Sequence, residues 1–259
     1  MLAGSLASAG FRHALSVFIC TLFVIVTVLD ATAVRKSPDD GATPGVGGSA
    51  FDWRGGFVGG ITVAAVAARG GTDGLPERLR EQTVRWHEKV EAVADIPGRV
   101  RTRADYIDLL GSLAGLHTGL EDQLSAPVWD RAWVDVGVDI AAHCRVGLLV
   151  ADLEGLGVPP AGSTVQPPFP CFGHALGYLY VLEGSALGGR IVAEMVRAAI
   201  GAVPTAFLTG RGRGHQWPAV RRALRRFDAQ DGDGDAVLAG AVSTFALFAR
   251  HLAAPELQR

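Results

Sequence analysis

One helix-patterned stretch, Leu79-Arg-Glu-Gln-Thr-Val-Arg-Trp-His-Glu-Lys-Val-Glu91, holds the residues best suited to chemistry. At about 100° per residue, Val84, His87, Val90 and Glu91 share one side, while Gln82, Arg85 and Lys89 point the other way. A histidine among apolar neighbours has two readings: a satisfied core or boundary residue, or a ligand. Glu91 stands one turn beyond His87, where a carboxylate can orient or polarise an imidazole. Arg80 stands two turns before it, nearly eclipsed and roughly 10 Å back along the axis. An imidazole with a guanidinium on the same face suits a ligand with a metal at its centre and an acid group at its edge.

A second stretch, Tyr178 to Val192 (YLYVLEGSALGGRIV), is patterned as a helix yet contains Gly184, Gly188 and Gly189. Each glycine inside a helix costs roughly 1 kcal/mol against alanine. Three of them without proline or turn chemistry require a cause. Something flat or bulky lies against the backbone there, the helix bends there, or small residues let another helix pack closely.

Six amphipathic helices are expected to position these two stretches. The first spans about Pro76 to Ala94, with a proline in the first turn. The second runs from the N-cap Thr102 to Leu124, with Tyr106, Leu109, Leu110, Leu113, Leu116 and Leu120 at helical spacing. The third spans about Trp133 to Leu156, with a stripe of Ile140, Leu148, Leu149 and Leu153. The fourth, glycine-bearing helix spans about Phe172 to Gly201, the fifth Trp217 to Asp228 and the last Asp235 to Ala253. No alternating strand pattern stands out, so the class is all-α, a multi-helical bundle over residues 73–255.

Residues 1–72 read differently. An apolar run from Ala14 to Leu29 follows Arg12 and His13 and precedes Ala31-Thr-Ala33, the layout of a secretory signal. At sixteen residues it is short for a membrane span, which needs about 20. The alternative is an over-extended reading frame; in either case the segment is a signal-like or disordered extension outside the fold. The expected location is cytoplasmic, with export or membrane contact through residues 12–33 only if the apolar run is functional.

The 259 residues are 49% hydrophobic, ample for one large core. A net charge of −2 carries no signature of nucleic-acid binding, although Arg221, Arg222, Arg225 and Arg226 form a local basic cluster. Cys20, Cys144 and Cys171 share no metal-type or disulfide-type spacing. No Glu-x-x-His pair occurs, which argues against a di-iron site. His117 with Glu121, and His143, read as packing or polar boundary residues.

The LxxxTxxxHxxVE of Leu79 to Glu91 and the GxxxGG of Gly184 to Gly189, in this order on an all-α background, resemble the haem oxygenase family. The bacterial biliverdin-producing branch, with its YVLEGSxLGG-type segment, is most similar. The likeness extends over about residues 75–227 and takes in Asp105-Tyr-Ile-Asp-Leu-Leu110, His117-Thr-Gly-Leu-Glu121, Asp152-Leu-Glu-Gly-Leu-Gly157 and Trp217.

The resemblance implies haem as substrate and cofactor, O₂ as oxidant, and biliverdin, CO and ferrous iron as products. It implies His87 as the iron ligand, Glu91 and Thr83 near it, and Arg80 toward a haem propionate. Gly184, Gly188 and Gly189 would lie against the porphyrin face. Arg221, Arg222 and Arg225 are candidates for further propionate contacts by sign and position, with a solvated basic face as the other reading. Electrons must come from a separate donor such as a ferredoxin or flavin reductase, because the chain has no dinucleotide or iron–sulfur motif. One departure stands out: Ser185 occupies the place where the animal enzymes have a water-anchoring aspartate. That favours a rival, a haem-binding or storage protein without turnover. A thiaminase-like hydrolase would need an activated cysteine, and neither Cys144 in an apolar helix nor Cys171 beside a proline loop suits that role.

Overall fold

The computed structural model describes residues 74–159, 162, 168–210 and 216–253; the expectations for residues 1–72 lie outside them. Among the described residues the regular structure is helical: α1 Leu75–Ala94, α2 Ile96–Arg99, α3 Arg103–Leu124, α4 Asp130–Val136 and α5 Val146–Gly155. The chain continues through α6 Phe172–Ala186, α7 Gly189–Ile200, α8 Ala206–Thr209, α9 Trp217–Ala229 and α10 Gly234–Leu252. Single 3-10 turns stand at Pro127–Trp129 and Ile140–Ala142. The expected all-α class is the observed one.

Where a helix begins follows from local chemistry. Thr102 and Asp105 form a reciprocal capping box: Asp105 N–H donates to Thr102 Oγ1 at 3.1 Å and Thr102 N–H donates to Asp105 Oδ2 at 2.8 Å. The proline expected in the first turn of α1 is there, at Pro76. Asp233 opens α10 by accepting from the N–H groups of Asp235 and Ala236, each at 3.0 Å.

The third and fourth expected helices are each divided. Gly137, at φ 72, closes α4 in the left-handed conformation that glycine adopts freely. Asp139 then caps a 3-10 turn, and α5 starts only at Val146. Ile140 consequently sits in the turn, half-buried, while Leu148, Leu149 and Leu153 hold their core positions. The glycine-bearing helix stops at Ala186 and resumes at Gly189, with Leu187 N–H reaching back only to Gly184 O at 3.3 Å. The helix therefore does break among its glycines.

The core forms around α6, whose residues Ala175 to Leu182 are all buried, so this helix is apolar on every side. Its partner α10 comes unusually close. A Cβ on Gly177 would lie 2.2 Å from Val237 O, and one on Gly240 would lie 2.5 Å from His174 Cα. Helix α10 also packs along α1, which brings the histidine-bearing helix and the glycine-bearing helix to opposite sides of one space.

Two buried carboxylates hold the short elements in place. Glu121 on α3 accepts from Arg145 N–H at 2.9 Å and Val146 N–H at 3.0 Å, closing the start of α5. Asp152 on α5 accepts from Ala206 and Phe207 N–H at 2.8 Å each, closing the start of α8. Each supplies charge-assisted bonds to donors that a helix start otherwise leaves unpaired. Glu121 and Asp152, which the sequence presents as motif residues, thus act as struts of the scaffold.

Candidate functional site

His87 is half-buried on α1, and its neighbours define what it can do. Its Nδ1 lies 3.6 Å from Glu91 Oε1 one turn on, the side chains of both being less than one-fifth exposed. The Phe245 ring of α10 stands edge-on to the imidazole at a centroid distance of 6.1 Å. Burial lowers the His87 pKa from its ordinary value, which favours the neutral ring that a metal ligand requires. The remainder of the face is less regular than its periodicity suggests: Val84 is 46% exposed and turns away from the core.

His87 lines a mostly apolar cavity of about 240 Å³. Glu91, Val90, Ala94 and Asp95 continue its wall along and just beyond α1, while Gly184, Ser185, Leu187, Gly188 and Gly189 form another wall at the α6–α7 break. Phe245, Phe248 and Leu252 of α10 contribute apolar surface. The structure therefore brings together His87, Glu91, Gly184, Ser185, Gly188 and Gly189, which lie almost a hundred residues apart in sequence.

The three glycines are not equivalent. A Cβ on Gly189 would stand 2.1 Å from the carbonyl oxygen of Leu208 and 3.0 Å from its carbon. Close packing of α8 onto the start of α7 is reason enough for glycine there. Ser185 is exposed, and its hydroxyl donates to Leu182 O at 2.8 Å. Glu183 points elsewhere: it is buried, with Oε1 3.0 Å from His143 Nδ1.

The basic and hydroxyl candidates stand apart from the cavity. Thr83 is buried, donates to Leu79 O at 2.8 Å, and sits beside the phenol of Tyr180. Arg80 is half-buried on the same flank, close enough to act on Tyr180, whose pKa burial pushes up to about 12. Arg221, with a side chain only 9% exposed, donates to Glu77 Oε1 at 3.1 Å, and Arg225 reaches the same oxygen at 3.5 Å. Arg222 is exposed. None of Arg80, Thr83, Arg221, Arg222 and Arg225 lines the cavity. Glu77, across the α1–α9 seam, is the partner that draws Arg221 and Arg225 away from the cavity.

His117, read from the sequence as a packing or polar boundary residue, also lines the cavity. It is 2% exposed, lines the same space as His87, and meets the edges of Phe207 and Phe248 at 5.3 and 5.6 Å. Its Nδ1 lies 3.4 Å from Glu121 Oε1. A signal was present, since His117/Glu121 repeats the i, i+4 spacing of His87/Glu91. Among the described residues, no three His, Cys, Asp or Glu side chains converge as a metal-ligand set, and no helix is long and apolar enough to cross a membrane.

No family model matches the chain. It is 39% identical over 92 residues to a heme oxygenase of Xanthomonas campestris pv. campestris, a match covering 36% of this chain and 53% of that protein. The matched region is thus about half the length of that relative. In three dimensions it is similar to the NO- and CO-bound heme oxygenase of Neisseria meningitidis, with a TM-score of 0.57 and 21% identity over 70% of this chain and 91% of that one. At that identity the second likeness is one of fold. The first bears out the resemblance to the haem oxygenases carried by the motifs; the second bears out the helical fold.

Proposed function

We propose that this chain is a biliverdin-producing haem oxygenase that takes haem into the cavity between α1 and the α6–α7 break, with His87 as the iron ligand. The observation that carries the reading is that His87 and the backbone of Gly184 and Gly188 line one apolar cavity. A flat apolar macrocycle with a central metal fits such a space: an imidazole held neutral on one wall, side-chain-free backbone on another, and phenylalanine edges between them. When bound, haem would supply both the iron that binds O₂ and the porphyrin carbon that is oxidised.

The chain's own residues contribute orientation and exclusion. Glu91, beside Nδ1, limits the rotation of the His87 ring, as carboxylates behind metal-bound histidines do. Phe245 blocks the same ring from the α10 side. The glycine wall presents backbone where side chains would hold a bulky ligand away, and no strong acid stands on it, because Ser185 gives its proton to Leu182 O and Glu183 faces His143. A wall of that kind suits oxidation of the porphyrin itself, with carbon monoxide and ferrous iron released beside the bilin. Electrons come from a separate protein donor such as a ferredoxin or flavin reductase.

Ser185 favours one other reading, a haem carrier of the same fold without turnover. A visible-light titration of the protein with hemin, followed by ascorbate in air, separates the two. A one-to-one Soret band that collapses into bilin absorbance supports the oxygenase. A Soret band that persists even with an enzymatic reductant leaves the carrier, and absence of hemin binding removes both.

A further inference from the structure

Glu121 neighbours two buried side chains whose polar atoms have no hydrogen-bond partner among the described residues. The first is His117, whose ring lines the cavity from α3. Its Nδ1 lies 3.4 Å from Glu121 Oε1 but is too poorly aligned to bond it. The second is Tyr178 on α6, fully buried, whose hydroxyl feels Glu121, Cys144, Arg145 and Glu183. Burial above all, and then Glu121, pushes its pKa well above the ordinary value, so it stays a phenol that can donate and accept at once. Buried polar atoms without partners destabilise a fold, and their retention asks for a use.

The tract continues outward from Tyr178. Glu183 Oε1 lies 3.0 Å from His143 Nδ1, neither side chain being more than 5% exposed. His143 ends the 3-10 turn Ile140–Ala142 and is followed by the half-buried Cys144, so this end lies next to the surface. None of Glu121, Tyr178, Glu183 and His143 lines the cavity, and the tract reaches it through His117.

We infer that His143, Glu183, Tyr178, Glu121 and His117 form a proton relay from the His143 turn into the cavity. The relay rests on the haem oxygenase reading above. Reduction of O₂ consumes protons as well as electrons, and the glycine wall has none to give, because the Ser185 proton is held by Leu182 O. Imidazolium at His143 passes a proton to Glu183. That carboxyl protonates the Tyr178 oxygen while the phenol releases its own O–H proton to Glu121. Glu121 hands it to Nδ1 of His117, whose Nε2 gives up a proton to the cavity. One proton has then crossed, nothing is oxidised, and the phenol is left as it began. Glu121 is pinned by the N–H groups of Arg145 and Val146, so closing the gaps falls to rotation of the imidazole and the phenol, or to a bridging water.

The test uses the full chain with Tyr178→Phe, which removes only the hydroxyl and keeps the ring against Phe169. Tyr180→Phe is the control: it removes another buried hydroxyl of α6, on the flank of Thr83 and Arg80. One readout needs no haem, the exchange of the His117 ring N–H with water, followed by NMR in the ligand-free protein. The other is the rate of bilin formation by the hemin-loaded protein in H₂O and in D₂O. Tyr178→Phe should slow both by about tenfold or more and enlarge the solvent isotope effect. Hemin affinity should stay within about twofold of the wild type, and Tyr180→Phe should match the wild type in every readout. Wild-type behaviour of Tyr178→Phe in either exchange or turnover overturns the relay and leaves the oxygenase reading intact, as does equal slowing by Tyr180→Phe. If Tyr178→Phe fails to fold, Glu183→Gln, which can still bond His143, is judged by the same criteria. Failure of the wild type to bind hemin overturns the reading beneath the relay, and the relay with it.

Discussion

Gly189 and Leu208 touch backbone to backbone: a Cβ on Gly189 would stand 2.1 Å from the Leu208 carbonyl oxygen. The same short helix carries Phe207, which meets His117 inside the cavity. The seam between α7 and α8 therefore shapes the cavity from behind. Gly189→Ala must push α8 outward, and overpacking of this kind costs about 1–3 kcal/mol. The expected result is a lower melting temperature in the ligand-free protein, measured by circular dichroism, before any effect on haem is considered.

On the proposed reading, His87→Ala removes the iron ligand without opening the α1 backbone. Hemin should then bind without the imidazole-ligated spectrum, and bilin formation should drop on the order of a hundredfold or more. Added imidazole should restore part of the spectrum by occupying the vacated volume. Bilin production at the wild-type rate would remove His87 from its role.

Asp152 holds α8 through two backbone N–H groups. Asp152→Ala leaves both donors buried without their partner, at a cost of about 2–4 kcal/mol in total. Urea denaturation should register this loss. Because α8 supports the Phe207–His117 wall, hemin affinity should fall as well.

Arg221 serves Glu77 across the α1–α9 seam and does not line the cavity. Arg221→Met should therefore lower stability while changing hemin affinity less than about threefold. Paired thermal melts and Soret titrations of the variant and the wild type test this; hemin binding weakened by about tenfold or more would return Arg221 to the propionate role.

Asp105 links stability to acid. Backbone N–H donors from Arg101 and Thr102 and the Thr102 hydroxyl hold its carboxyl below the ordinary value. A depressed folded-state pKa means that the cap stabilises above the unfolded-state pKa, about 3.9, and is lost as pH falls through the lower folded value. Asp105→Asn should therefore lose less stability than the wild type in thermal melts between about pH 5 and pH 2, the window in which the carboxylate titrates. Parallel acid limbs for the two proteins would show that the box contributes nothing through charge.

The relations within a single helix were legible from spacing. His87 and Glu91, the Thr102 start of α3, the all-α class and the anomaly of Gly184 to Gly189 all follow from a period of about 3.6 residues and from capping chemistry. Those constraints act over one or two turns, so one strand of sequence contains both partners.

What only the tertiary structure decided is which distant backbone or charge meets each residue. Gly189 has its reason in a carbonyl of α8. Arg221 and Arg225 are drawn to Glu77, a partner more than a hundred positions away, and Glu183 is taken up by His143. His117 reads like any buried histidine until α8 and α10 bring Phe207 and Phe248 to its ring. Val84 satisfies the periodicity of α1, yet among the described residues no neighbouring helix covers it sufficiently to bury it. Periodicity assigns a face to each side chain; only the packing of separate helices determines what that face meets.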